Sequence, residues 1–193
     1  MVKNSSSRIV VDPLPNLSLL NELLNPNGIC YRILLKKFET IKRKKSQSSP
    51  SFQRGGNIDL LKVVIDASFL LSFLFPDEEN KSSKNLSDFN NYQCLSTHLI
   101  DFEVLNALQS SVRRKRISEK ERKQIEILYF QIPLTKISLK PSDFYHISAL
   151  GSKCQLSIYD TSYLYLAQRE EAILASNDKH LAKEASKLKI ALW

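Results

Sequence analysis

From residue 62 onward, apolar and polar positions switch between two periods. The run Val63-Val64-Ile65 is short, β-branched and closed by Asp66, the pattern of a buried strand over residues 62–66. Residues 68–75 read as a helix that Pro76-Asp77 breaks. A polar helix or loop covers 78–91, a short strand 92–95, and a long helix 98–115 on which Leu99, Phe102, Leu105 and Leu108 recur at helical spacing. Ser118 followed by Glu121 is a capping box, predicting a helix to Phe130. A strand over 134–139 and a helix from Pro141 to Gly151 follow. The rest predicts a helix over 159–170, a strand over 172–175, a helix over 179–188 and a last strand over 189–193. Strands alternating with helices predict a three-layer α/β/α domain around a mainly parallel sheet, and no internal repeat interrupts it.

Residues 1–60 follow another pattern and read as an N-terminal extension. Tyr31, Leu34, Leu35, Phe38 and Ile41 mark a short amphipathic helix, and residues 17–24 predict another. Lys42-Arg43-Lys44-Lys45 then leads into a Ser-rich linker, with too little to bury for an independent domain. Met1 is the sole methionine. One reading is therefore a translation start near Leu60, Leu61 or Val63, which would make the extension an artefact of start assignment. The other is a genuine appendage whose 31–41 helix contacts a second copy or a partner.

Composition narrows the class without deciding it. With 193 residues, 42% hydrophobic and 25% charged, one sizeable domain is expected. Four glycines are too few for a glycine-rich phosphate cradle. Cys30, Cys94 and Cys154 fit neither a disulfide framework nor a zinc spacing, so reduced thiols in a cytoplasmic protein are expected. No apolar run approaches the roughly 18 residues of a membrane span, and the first residues lack a signal-peptide core. The net charge of +8 lies mostly in the extension: residues 1–60 hold 10 Lys/Arg against 4 Asp/Glu, the remainder 18 against 16. A basic balance favours a polyanionic partner without identifying it.

The chemistry lies in four carboxylates. Asp66 and Asp178 each follow an apolar strand pattern, and ligands of open α/β sheets bind beyond the carboxyl ends of the strands. Glu103 and Asp160 fall near helix starts. Three or four carboxylates converging there would repel one another and welcome a hard divalent cation such as Mg²⁺ or Mn²⁺. A bland reading stands beside each: Asp160 and Asp178 would serve as helix caps, as a lone Asp before a helix usually does. Glu103 caps poorly and falls among apolar positions, where an unpartnered carboxylate is costly.

Four motifs in order resemble one family. Val63-Val64-Ile65-Asp66-Ala67-Ser68 resembles the opening strand of the PIN-domain ribonucleases, specifically the VapC toxins of bacterial toxin–antitoxin pairs. Asp101-Phe102-Glu103-Val104-Leu105-Asn106 resembles that family's second motif, Ser157-Ile158-Tyr159-Asp160-Thr161 its third, and Ser176-Asn177-Asp178 its fourth. Thr161 stands where Ala is commoner, and Ser176 where Thr is. The resemblance covers residues 61–193. It implies a Mg²⁺- or Mn²⁺-dependent endoribonuclease with Asp66 and Asp160 as the firmest metal ligands. Glu103 would complete the first metal's surroundings, and Asp178 would bind directly, through water or at a second metal. Ser68, Asn106 and Ser176 would orient carboxylates or the scissile phosphate. The same resemblance implies an RNA substrate, a homodimer, and a cognate antitoxin whose tail occupies the groove.

Two rival readings remain on the residues alone. A receiver-type phosphoacceptor domain would want an acidic pair after its first strand, whereas Val64-Ile65 precede the single Asp66. A catalytically silent RNA-binding protein on the same fold is countered by the intact set of four carboxylates. Arg113-Arg114-Lys115-Arg116 suits an RNA backbone, and equally a solvated helix end. Tyr159, Tyr163 and Tyr165 are expected to pack in the core, and His98, His146 and His180 share no metal spacing.

Overall fold

The computed structural model describes residues 51–54, 57–75, 89 and 91–193. In chain order these form β1 (Ser51–Arg54), β2 (Asn57–Leu60), β3 (Lys62–Ile65), α1 (Ala67–Leu74), β4 (Gln93–Thr97), α2 (Leu99–Arg113), α3 (Glu119–Phe130), β5 (Thr135–Ile137), α4 (Pro141–Cys154), α5 (Ile158–Arg169), β6 (Ile173–Ala175) and α6 (Lys179–Lys187). The helices expected within 17–24 and 31–41, the basic linker at 42–45 and nearly all of the 78–91 segment lie outside the described residues.

Four strands form the main sheet in the order β5-β4-β3-β6, each pair parallel. Val63, Val64 and Ile65 are fully buried, because a central parallel strand has neighbours on both edges and helices over both faces. The chain steps outward from β3 to β4 to β5, then returns to place β6 on the other side of β3. Right-handed crossovers put the helices of the outward steps on one face and those of the return on the other. The contacts agree: α1, α2 and α3 touch one another, while α5 covers β3, β4 and β6 and packs against α4 and α6. The domain is α/β with three layers, as the alternation of elements implies. The reversal between β3 and β6 is a topological switch point, the place where such sheets open a crevice at their carboxyl edge.

Local sequence explains most boundaries. Ser118 caps α3 through the expected reciprocal box: its hydroxyl accepts the Glu121 N–H at 3.2 Å while its own N–H donates to Glu121 Oε2 at 2.7 Å. Pro141 occupies the first turn of α4, where its missing N–H costs nothing. Gly151 on α4 lets α5 approach closely, since a Cβ there would stand 3.0 Å from Thr161 Oγ1.

Three expectations need correction. The final strand is reduced to one bridge between Leu174 and Leu192, supported by the Trp193 N–H donating to the Leu174 carbonyl at 3.0 Å. β1 and β2 form an antiparallel pair inside the segment read as an extension. The buried stripe of α2 is Ile100, Val104, Leu108 and Ser111, and Phe102 is 72% exposed. Several apolar residues crowd α2, so two helical stripes that share Leu108 compete in the sequence, and packing against α1, α3 and the core buries Ile100 and Val104 rather than Phe102.

Candidate active site

Asp66 is the anchor of the site. It follows the last residue of β3, caps α1, and donates its own N–H to the Ala175 carbonyl at the end of β6, at 3.1 Å. The parallel register pairs Ile65 with Ala175, so Asp66 and Ser176 leave the sheet side by side at the switch point. The Asp66 carboxylate is only 5% exposed and takes three donors: the Ser68 N–H, the Ser68 hydroxyl at 3.0 Å, and the Ser176 hydroxyl. Burial nonetheless outweighs these bonds and pushes the carboxyl above the ordinary Asp range, with the Asp160 charge adding to the rise.

Glu103 and Asp160 come to the same place from two helices. Glu103, on the second turn of α2, flanks the buried stripe and is half-buried, and its Oε2 accepts a hydrogen bond from the Tyr163 hydroxyl. Its carboxyl is also raised, first by burial and then by the Asp66 and Asp160 charges. Asp160 sits in the first turn of α5. Ser157, which caps that helix, accepts the Asp160 N–H at 3.1 Å and donates its hydroxyl to Asp160 Oδ2 at 2.6 Å. These three carboxylates feel one another, which is what a shared cation site requires.

The other predicted residues lie further out. Asp178 is exposed and caps α6, its Oδ1 accepting the N–H groups of His180 and Leu181 at 2.7 and 2.8 Å. Its charge is not among those that raise Asp66 or Glu103. Its N–H donates to Ser176 Oγ at 3.0 Å, so a single hydroxyl links it to Asp66. Ser68 also accepts the Asn177 N–H at 3.0 Å, closing a small network across the two strand ends. Asn106 is exposed one turn beyond Glu103, on a neighbouring position of the same helix face.

Two residues without an expected role belong to this network. Ser157 was legible as the start of a Ser-x-x-Asp cap. Tyr163 bonds Glu103 across 60 residues, a contact that no local spacing announces. Tyr163 is 1% exposed and packs as expected, whereas Tyr159 is 59% exposed. Burial and the Glu103 charge push the Tyr163 phenol well above its ordinary range, so it remains a donor.

The donor set is all oxygen and anionic, which suits Mg²⁺ or Mn²⁺ better than zinc. Among the described residues no group of three or more His, Cys, Asp or Glu side chains is arranged as it stands to hold a metal ion. The carboxylates fit a cation in their chemistry and mutual repulsion. A cleft of about 320 Å³ between α2 and α3, lined by Gln109, Val112, Arg113, Glu119 and Arg122, is a different matter. Arg122 is already paired with Glu119 and Glu126 there, leaving no anionic excess for a metal. Cys94 and Cys154 are free and buried. Among the described residues no helix is long and apolar enough to cross a membrane.

Known proteins resemble this chain in sequence and fold. The crystal structure of PAE2754 from Pyrobaculum aerophilum is similar at 20% identity and a TM-score of 0.48, covering 64% of this chain and 86% of that one. Ribonuclease VapC3 from Pyrobaculum aerophilum is 26% identical over 128 residues, 64% of this chain and 95% of that protein. The family model described as PIN domain matches residues 63–187, from within the buried central strand to the end of α6. That span holds the acidic strand ends, both helices that face them and all but the first residue of the four-stranded parallel sheet: the chain belongs to the PIN-domain family.

Proposed function

We propose that this protein is a divalent-metal-dependent endoribonuclease of the VapC type, the toxin of a toxin–antitoxin pair. The observation that carries the reading is the buried Asp66 carboxylate at the β3–β6 switch point, raised by its surroundings and facing the charge of Asp160. The similarity to a protein named as a ribonuclease supports RNA as the substrate.

Asp66, Glu103 and Asp160 would hold Mg²⁺ or Mn²⁺, with Asp178 reaching it directly, through water, or at a second ion. Bound there, such an ion makes water a better nucleophile near neutral pH and offsets charge on the leaving oxygen. The protein's own part is positional. Ser68 and Ser176 fix both oxygens of Asp66, Ser157 fixes Asp160, and Asn106 would orient the phosphate or Glu103. The reaction is hydrolysis: water oxygen bonds phosphorus, the bond to the leaving ribose oxygen breaks, and the protons pass to the products. Arg113, Arg114, Lys115 and Arg116 are exposed at the end of α2 and suit contact with flanking phosphates.

A cognate antitoxin would fill the groove with a cationic side chain opposite the carboxylates, and a homodimer would be the working unit. A cytoplasmic setting accords with the free thiols. Residues 1–60 are proposed as a basic appendage outside the nuclease domain at 61–193. Cleavage of total RNA by purified protein with Mg²⁺, Mn²⁺ or EDTA, beside Asp66→Asn, tests the reading. Discrete fragments that require metal and vanish in the variant are expected. Cleavage that persists in EDTA or in Asp66→Asn would refute it.

A further inference from the structure

We infer that Tyr163 is a positioning residue whose hydroxyl holds Glu103 in the carboxylate cluster. This rests on the metal-binding reading above and assigns the device that completes the site. Each of the other carboxylates has a holder close by in sequence, Ser68 for Asp66 (with Ser176 of the adjoining strand end added), Ser157 for Asp160, and the α6 N–H groups for Asp178. Glu103 has a different problem. It carries a longer, more flexible side chain on a half-exposed helical surface, and Asp66 and Asp160 both repel it. Without a tether, rotamer entropy and repulsion both favour swinging it toward water.

Tyr163 supplies the tether from the opposite side. It lies three residues after Asp160 on α5, so both project from one face of that helix. Its ring is 1% exposed and so has no room to turn, and its hydroxyl donates to Glu103 Oε2 on α2. One helix therefore delivers a carboxylate and, one turn later, the donor that holds another. The loss expected on removing such an outer partner is about 10–100-fold in metal affinity.

The test is Mn²⁺ binding by calorimetry to the full chain, comparing wild type, Tyr163→Phe and Tyr129→Phe. Tyr129 is a matched control, a buried phenol that donates to Asp101 at 2.5 Å outside the cluster. Tyr163→Phe is expected to weaken Mn²⁺ binding about tenfold, while Tyr129→Phe binds as wild type. Cleavage by Tyr163→Phe should regain the wild-type rate at saturating Mn²⁺, because the hydroxyl places the ligand and does not touch the substrate. Unchanged Mn²⁺ affinity in Tyr163→Phe overturns this inference and leaves the nuclease reading standing. Absence of Mn²⁺ binding by wild type overturns the metal reading itself. A metal-free Tm more than about 10 °C below wild type in Tyr163→Phe would make the hydroxyl a fold element and overturn the assignment.

Discussion

Replacing Ser176 by alanine removes the hydroxyl that joins the two strand ends. It donates to Asp66 Oδ2 and accepts the Asp178 N–H at 3.0 Å. The second bond is exposed and water can replace it, so the cost comes from the first. A hydrogen bond to a charged group contributes about 1.5–3 kcal/mol. Asp66 keeps both Ser68 donors, which argues for the lower end. The expected loss is about 1.5 kcal/mol, or roughly 3–6 °C in Tm for a chain of this size. Urea unfolding at pH 8 in EDTA, followed by far-UV circular dichroism, measures it, with an unchanged m-value marking an effect on stability alone. Asp66→Asn supplies the control through a double-mutant cycle. If the hydroxyl acts on the Asp66 charge, the two changes couple by about 1 kcal/mol. A Ser176→Ala curve that overlies wild type, or full additivity in the cycle, would refute the reasoning.

Other outcomes follow from the same geometry. Asp66→Asn should raise the metal-free Tm, because it removes a buried charge facing Asp160, while it and Asp160→Asn each abolish RNA cleavage; a variant that folds and still cuts would break the site assignment. Gly151→Ala places a methyl 3.0 Å from Thr161 Oγ1, whose hydroxyl is tied to the Ser157 carbonyl, so strain of about 1–3 kcal/mol opposes a helix-propensity gain of about 1 kcal/mol. In a Thr161→Ala background the strain disappears and the same change should stabilise, a reversal of sign readable by thermal melting. Asp143 is held below the ordinary carboxylate range chiefly by the Lys140 N–H, with Tyr165 and Arg169 adding to it. Its stabilisation is present above the unfolded value near pH 4 and lost as pH falls through the folded one. Asp143→Asn should therefore flatten the acid limb of a Tm–pH profile, and an unchanged limb would contradict the assignment.

Much of the architecture could be read from the chain because local and long-range preferences agree. The β-branched run at Val63, the Ser118 box and Pro141 each carry their own structural cause. The acidic strand ends were legible for the same reason, since a parallel sheet sends its strand ends to one edge. What escaped depends on partners distant in sequence. α2 offers two apolar stripes that share Leu108, and only tertiary packing chooses the one with Ile100 and Val104 over the one with Phe102. The Tyr163–Glu103 bond crosses 60 residues, and periodicity on either helix shows half of it at most. The β1–β2 pair was signalled by Gly55-Gly56, a dipeptide suited to a two-residue hairpin loop, but a Ser-rich flank hid it.

For the proposed nuclease, the switch point also sets a clock on activity. Asp66 and Ser176 are 110 residues apart in the chain, and β6 must seat beside β3 before either finds the other. At roughly 5–20 residues per second, the ribosome takes on the order of 5–20 s to deliver the second after the first. A nascent chain thus carries its central acid for seconds without the strand that organises it. An enzyme that cuts RNA would remain inert beside the very message being translated, and would become active only after its last strand is free to dock.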